Sequence, residues 1–141
     1  MKPKKIGDFG EKIAQKYLES KGYKILDRNY SRKWMSGLQK GEIDIVAKPC
    51  RDIFKAFLRR KDNIIHFIEV KTLSFNKHKG FFPEDKVNFQ KQRQIKRIAQ
   101  DWLLERNIPL DSKWQIDVVS VIVNINTKKA KIRHFKNITS S

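Results

Sequence analysis

The chain has 141 residues, and 32 Lys and Arg against 15 Asp and Glu give it a formal net charge of +17 at pH 7. That length suits one domain with a single core, so we expect residues 1–141 to form one domain. The sequence contains one cysteine, which excludes an intrachain disulfide, and no apolar run long enough to span a membrane. Strongly basic chains most often bind phosphate groups, which favours nucleic acid as the partner and not a membrane.

Charge alone does not choose between DNA, RNA and a ribosome, and a generic basic surface remains the plainest alternative. The N-terminal sequence MKPKKIGDFG lacks the apolar segment of a secretory signal. A single cysteine also suits a reducing compartment. We therefore expect a cytoplasmic protein.

Hydrophobic spacing predicts two amphipathic helices. Apolar residues at intervals of three and four indicate a first helix over 5–21, which Gly22 ends. A second helix is predicted over 85–107, with Pro109 just beyond its end. The predicted buried stripe of the second helix comprises Val87, the Lys91 stem, Ile95, Ile98, Ala99, Trp102 and Leu103.

Five strands are predicted around these helices, rich in β-branched and aromatic residues. The order α-β-β-β-α-β-β indicates a mixed α/β sheet with helices packed on it. The predicted strands cover 23–30, 41–48 (GEIDIVAK), 64–72 (IIHFIEVKT), 114–125 and, as an edge strand, 127–138. The predicted connections are a polar turn over 31–40, a hairpin excursion or short helix over 50–63, and a loop over 73–85.

Two of these strands carry acids in stretches that otherwise belong in a core. Side chains alternate along a strand, so each strand is predicted to have an apolar face and a face with acids at one end. The predicted sets are Glu42, Asp44 and Val46 opposite Ile43, Ile45 and Ala47, and Phe67, Glu69 and Lys71 opposite His66, Ile68 and Val70.

If the two strands are neighbours, about 4.8 Å apart, the carboxylates of Asp44 and Glu69 meet at one point. Two adjacent carboxylates are costly unless a cation lies between them, and Mg²⁺ typically binds one or two carboxylates and several waters. Lys71 can then stabilise charge that develops on a phosphate. This set suits phosphodiester hydrolysis. Spacing alone leaves open a simple ion pair between Glu69 and Lys71.

Several stretches together resemble a known family. GDFGEKIAQKYLESKGYKILDRNY, GEIDIVAK, FIEVKT, VNFQKQRQIKRIAQDWL and QIDVVSV occur in this order over nearly the whole chain. They resemble the small YraN-like proteins, uncharacterised members of the PD-(D/E)xK nuclease superfamily related to archaeal Holliday-junction resolvases. The resemblance implies a restriction-endonuclease-like αβββαβ core, with a mixed central sheet flanked by helices.

Carried over by position, the resemblance implies a catalytic set of Glu11, Asp44, Glu69, Lys71 and Gln92, and it places Lys91 with Gln92 as a polar pair that points towards the metal centre. Asp44 and Glu69 would bind Mg²⁺ or Mn²⁺, and Glu11 would face the site from the first helix. Compensation of the helix dipole is the plainer role for Glu11. Glu42 is expected to lie behind the metal ligands or to be exposed.

Asp117 matches a family aspartate on a later strand, where a structural hydrogen-bonding role is favoured. His66 is expected to be a buried core histidine. Residue 43 is Ile where the superfamily name has Pro.

The basic residues expected to bind nucleic acid are Lys77, Lys79, Lys91, Arg93, Lys96 and Arg97.

The sequence therefore predicts a metal-dependent DNA endonuclease selective for branched or flapped DNA. Phenylalanines among cations in the loop over 73–85 suit stacking on unpaired bases, although capping of the core is an equal alternative. A non-catalytic nucleic-acid-binding module and a basic partner of a ribosome or repair complex also remain open. A homodimer is a hypothesis drawn from the resolvases, which act on two strands.

Overall fold

A computed structural model of the protein describes residues 3–31, 41–50, 63–75 and 87–139. Within these ranges the elements follow the predicted order of helices and strands. They are α1 (Pro3–Ser20), β1 (Tyr23–Ser31), β2 (Glu42–Pro49), β3 (Ile65–Ser74), α2 (Phe89–Glu105), β4 (Trp114–Asn124) and β5 (Lys129–Phe135). Most of the three predicted connections, over 31–40, 50–63 and 73–85, lies outside the described residues.

The described strands form one mixed sheet in the order β1-β2-β3-β4-β5. β3 and β4 pair in parallel, and the other neighbours pair antiparallel. A parallel pair needs a crossover connection, and α2 lies in the one between β3 and β4. No helix in the described ranges is long and apolar enough to cross a membrane.

The two helices cover opposite faces of the sheet. Ala14 and Leu18 of α1 pack in one cluster with Ile68 of β3. Trp102 of α2 packs in a second cluster with Phe67, the residue before Ile68. Because successive residues of a strand point to opposite faces, α1 and α2 lie on opposite sides. Both faces of β3 and β4 are therefore buried, which explains why β4 is apolar almost throughout.

Helix α2 begins at Phe89, four residues later than predicted. Asn88 caps it from an extended backbone conformation, and its side chain accepts a hydrogen bond from the backbone nitrogen of Lys91 at 2.9 Å. Val87 precedes the helix and is nevertheless buried, as predicted. The predicted apolar stripe from Ile95 to Leu103 is also buried.

The predicted alternation is wrong at the start of β2. Ile43 joins Val46 in the cluster beneath α2, whereas Ile45 joins the cluster beneath α1. Ile43 and Ile45 therefore do not share a face. The pairing of β2 with β3 ends at Ile45 and Ile68, so residues 42–44 of β2 have no partner in β3. The break falls at Asp44.

Asp117 is a fully buried carboxylate on β4 that joins three parts of the chain. Its Oδ2 lies 2.6 Å from Nδ1 of His66 and 2.8 Å from Nε2 of His134, and its Oδ1 accepts hydrogen bonds from Gln115 and the Asn137 amide. Burial alone would raise the pKa of Asp117, but these donors lower the pKa well below its usual range. Asp117 therefore stays ionised and ties β3, β5 and the C-terminal segment to β4.

We predict that Asp117→Asn lowers the free energy of unfolding at pH 7 by about 3 kcal/mol, because it breaks a buried charged network. The pKa of Asp117 is lower in the folded state, so its contribution is complete above the unfolded value of about 4 and is lost as pH falls towards the folded value. Urea unfolding of variant and wild type would be measured at about pH 7 and about pH 3. The difference between their free energies of unfolding should be smaller at the lower pH. Asp111→Asn, at an exposed site, is the matched control. If the two free energies of unfolding differed equally at both pH values, the claim that Asp117 is ionised would be contradicted.

Candidate functional site

The site lies where β2 separates from β3. Asp44 comes directly before the last paired residue of β2, Ile45. Its Oδ2 accepts a hydrogen bond from the backbone nitrogen of Val70 at 2.7 Å. The carboxylate thus occupies the place of a strand partner, since a buried backbone N–H needs an acceptor. This contact fixes Asp44 beside Glu69, the residue before Val70.

Glu69 is 5% exposed, and two lysines share one of its oxygens. Nζ of Lys71 lies 3.1 Å from Oε1, and Nζ of Lys91 lies 3.7 Å from the same atom. The other oxygen, Oε2, is buried and has no hydrogen-bond partner among the described residues. An unsatisfied buried polar group costs about 1–3 kcal/mol, and more when it is charged. Oε2 is therefore an oxygen that could accept a hydrogen bond or bind a cation.

Helix α1 approaches β3 closely enough to bring a further acid to the site. A Cβ at Gly10 would collide with the side chain of Thr72, so glycine is required at this contact. Glu11 follows directly and turns its carboxylate into the cluster. A Cβ at Gly7, by contrast, would meet nothing within 4 Å, so the close contact concerns Gly10.

Glu42 and Asn29 complete the acidic cluster. Carboxylate oxygens of Glu11, Glu42 and Asp44 all lie within 4.8 Å of one another. In the amide orientation that satisfies its neighbours, Asn29 donates to Oε1 of Glu42 at 2.9 Å and to Oε2 of Glu11 at 3.0 Å. Its backbone has a φ of 51°, a conformation that asparagine adopts more readily than most residues. Asn29 therefore holds two acids in place from β1.

Burial, together with neighbouring charge, raises the pKa of two of the acids, Asp44 and Glu11. Burial raises the pKa of Asp44 to about 8, and the adjacent charge of Glu69 contributes. Burial also raises the pKa of Glu11, and the charge of Glu42 adds to this effect. Like charges at one point disfavour ionisation unless a cation compensates them. The cluster is thus arranged to bind positive charge.

The structure brings four of the five predicted catalytic residues together: Glu11, Asp44, Glu69 and Lys71. The fifth, Gln92, is not shown in contact with the cluster: the hydrogen bond that the structure gives its side chain is to the carbonyl of Val87, at 3.3 Å. Lys91 contacts Glu69 inside the site, as the resemblance implies, although it was also predicted to bind nucleic acid. Arg93, Lys96 and Arg97 are exposed on α2, whereas Lys77 and Lys79 lie outside the described residues.

Sequence reasoning underestimated Glu42 and missed Asn29. Glu42 was expected to lie behind the metal ligands or to be exposed, and it is exposed. Its carboxylate nevertheless belongs to the cluster. Its spacing of two residues from Asp44 was the available signal. No sequence signal identified Asn29, because its role depends on a backbone conformation within β1 and on the position of α1.

A second group with ligand-type side chains lies on the α1 face of the sheet. Ligand atoms of His66, Asp117 and His134 come within 4.8 Å of one another. The separations of 2.6 Å and 2.8 Å from Asp117 are those of hydrogen bonds and are shorter than the spacing of ligands around one metal ion. Because all acceptor positions of Asp117 are used, this group is a structural network.

Fold and site together define a small mixed α/β protein with a cluster of acids and lysines around the buried Glu69, where two antiparallel strands separate. A family model described as "Uncharacterised protein family UPF0102" matches residues 10–121. The chain belongs to the UPF0102 family, in agreement with the resemblance to YraN-like proteins.

Relatives with the name "UPF0102 protein" match over almost their full lengths. The protein of Alkaliphilus oremlandii (strain OhILAs) is 39% identical over 136 residues, which are 95% of this chain and 97% of the relative. That of Clostridium beijerinckii (strain ATCC 51743 / NCIMB 8052) is 34% identical over 134 residues, with 95% and 92% covered. UPF0102 protein CLJ_B2665 of Clostridium botulinum (strain 657 / Type Ba4) is 36% identical over 137 residues, with 95% and 93% covered.

We predict that Asp44→Asn stabilises the metal-free protein at about pH 8 and has little effect at about pH 4. The folded state holds the Asp44 proton more tightly than the unfolded chain, so this carboxyl favours folding in acid. As pH rises from the unfolded pKa of 3.8 to the folded pKa of about 8, the Asp44 carboxyl lowers the free energy of unfolding. Asparagine keeps an oxygen for the Val70 amide and removes the charge. Thermal unfolding in EDTA should show a gain of about 5 °C at the higher pH.

Asp111→Asn serves again as the control with the same chemical change at an exposed site. A variant that is equally destabilised at both pH values would show that the Asp44 carboxylate is satisfied without a cation.

Proposed function

We propose that this protein is a metal-dependent endonuclease that hydrolyses DNA phosphodiesters, with branched or flapped DNA as its preferred substrate. In this proposal the αβββαβ order of elements is a restriction-endonuclease-like core of the PD-(D/E)xK superfamily. The observation that carries the proposal is the half-buried carboxylate of Asp44 next to the buried carboxylate of Glu69, with Lys71 at 3.1 Å from Glu69. Acids and a lysine at the split of two strands suit phosphodiester hydrolysis.

The residues of the cluster fit a hard divalent cation, Mg²⁺ or Mn²⁺. Asp44 and Glu69 would hold it, since both offer carboxylate oxygens and Oε2 of Glu69 has no partner in the described part of the chain. Glu11 lies close enough to bind a water of its shell. When bound, the cation would supply Lewis-acid polarisation of a phosphate oxygen and a more acidic water.

The protein's own groups then perform positioning and charge stabilisation. Lys71 is half-buried beside Glu69, so its ammonium group can stabilise negative charge on a phosphate in the transition state. Lys91 offers a second ammonium group from α2, at 3.7 Å from the same carboxylate oxygen. Asn29 donates hydrogen bonds to Glu11 and Glu42 and so keeps these two carboxylates at fixed positions beside Asp44.

Basic residues outside the cluster would place the DNA backbone. Arg93 and Lys96 are exposed on α2, and Lys129 and Lys131 are exposed on β5. Contacts of this kind fix the register and orientation of a duplex and do not read its bases. Binding should therefore weaken steeply as salt concentration rises.

One observation favours a second candidate, a non-catalytic nucleic-acid-binding module. Lys71 and Lys91 already offset part of the charge of Glu69, so the cluster can act as a buried ion-pair device. In that case DNA binds the basic surface and is not cut. The two functions differ in metal-dependent cleavage.

We predict that the purified protein cuts labelled DNA with Mg²⁺ or Mn²⁺ and not with EDTA. Linear, flapped and four-way-junction substrates would be compared. Glu69→Gln and Lys71→Ala should lower the rate at least about 100-fold while DNA binding persists, because they remove charge from the reacting centre and leave the outer basic surface intact.

Glu19→Gln, at an exposed position on α1, is the matched control for Glu69→Gln and should cut at the wild-type rate. If all variants behave like the wild type, the activity comes from a contaminant and the cluster is not a working site. If none cuts but all bind, the binding-module function is favoured.

A further inference from the structure

A groove of about 340 Å³ runs along one flank of α2. Phe89, Arg93, Lys96 and Arg97 line it on the helix side. Their spacings of three and four residues place them on one side of the helix. Lys91 is two residues from both Phe89 and Arg93 and so points about 200° away from them, towards Glu69. The groove and the acidic cluster therefore share the N-terminal end of α2 and lie on different flanks.

The groove has an exposed aromatic ring at its end nearest the cluster. Phe89 is the first residue of α2, and its side chain is 67% exposed. The guanidinium group of Arg93 lies over the ring, with its central carbon 5.8 Å from the ring centre, so the two side chains form a cation–π pair. Phe89 belongs to neither hydrophobic cluster, so it contributes nothing to the described core. An exposed ring beside cations suits a ligand with both a flat apolar surface and negative charge.

We propose that this groove binds a single-stranded segment of DNA, with a base stacked on Phe89 and phosphates bound by Arg93 and Lys96. Bases in a duplex are stacked on one another and cannot cover a ring on the protein surface, whereas an unpaired base can. Cations along the flank match the phosphate backbone that accompanies each base. The distance along the helix from Phe89 to Gln100 is about 16 Å, which suits a short stretch of nucleotides.

This inference rests on the proposed nuclease function, which it makes more specific. A strand that leaves the acidic cluster past Phe89 would be an unpaired tail next to the cut phosphate. The substrates favoured would then be flaps, forks and frayed ends over fully paired duplexes.

The test is DNA binding in EDTA, measured by fluorescence anisotropy, so that it does not depend on cleavage. The probes are a blunt duplex, the same duplex with an oligo(dT) tail, and oligo(dT) alone. Phe89→Ala should weaken binding of the two probes with unpaired bases about tenfold, since it removes the ring on which a base would stack. Binding of the blunt duplex should not change. Phe89→Trp should retain tail binding, and Phe89→Leu should lose it, because the ring and not its apolar bulk is required.

Phe9→Ala is the matched control, because Phe9 is an exposed phenylalanine on α1 and does not line this groove. It should leave binding of every probe unchanged, and equal melting temperatures would show that each variant is folded. Unchanged tail binding by Phe89→Ala, or an equal loss for blunt and tailed duplexes, would overturn the inference. Oligo(rU) bound about tenfold more tightly than oligo(dT) would assign the groove to RNA instead.

The two proposals fail in different ways. A protein that binds tails through Phe89 and never cuts DNA contradicts the nuclease function and leaves the groove as proposed. A protein that cuts with metal and binds blunt and tailed duplexes equally contradicts the groove alone.

Discussion

The burial of Glu69 beside Asp44 is the constraint on which the rest of the structure depends. Two carboxylates at the split between β2 and β3 repel each other, and burial denies them water. The pKa of Asp44 is consequently raised to about 8. Much of the surrounding structure supports this arrangement: Gly10 lets α1 approach, and Lys71 and Lys91 reach the same oxygen of Glu69.

Two buried acids on opposite faces of the sheet differ in how fully their oxygens are hydrogen-bonded. Asp117, on the α1 face, receives hydrogen bonds on both oxygens, and its pKa is well below the usual range. Glu69, on the α2 face, keeps an oxygen with no hydrogen-bond partner among the described residues. A saturated carboxylate stabilises a fold, whereas an unsaturated one is available to a ligand. This contrast is the main reason to assign structure to the first site and chemistry to the second.

Most of the fold followed from hydrophobic periodicity, because the apolar stripes of α1 and α2 and the buried run of β4 have clear patterns. The meeting of Asp44 and Glu69 also followed, since it needs only alternation and neighbouring strands. The inward position of Lys91 was implied by the resemblance, which places Lys91 with Gln92 towards the metal centre. Two features did not follow. Ile43 changes face where the β2–β3 register ends, and Asn29 acts through a positive φ. Each depends on how separate elements meet, which local sequence does not encode.

The most direct test of the central claim is a crystal structure of the protein with Mn²⁺, solved with anomalous diffraction data. The account predicts an anomalous peak between the carboxylate of Asp44 and Oε2 of Glu69, at the oxygen–metal distances expected for this ion class. A peak only at the group of His66, Asp117 and His134 would contradict the account. So would bound Mn²⁺ nowhere near Glu69, because its buried, unpartnered oxygen would then need another explanation.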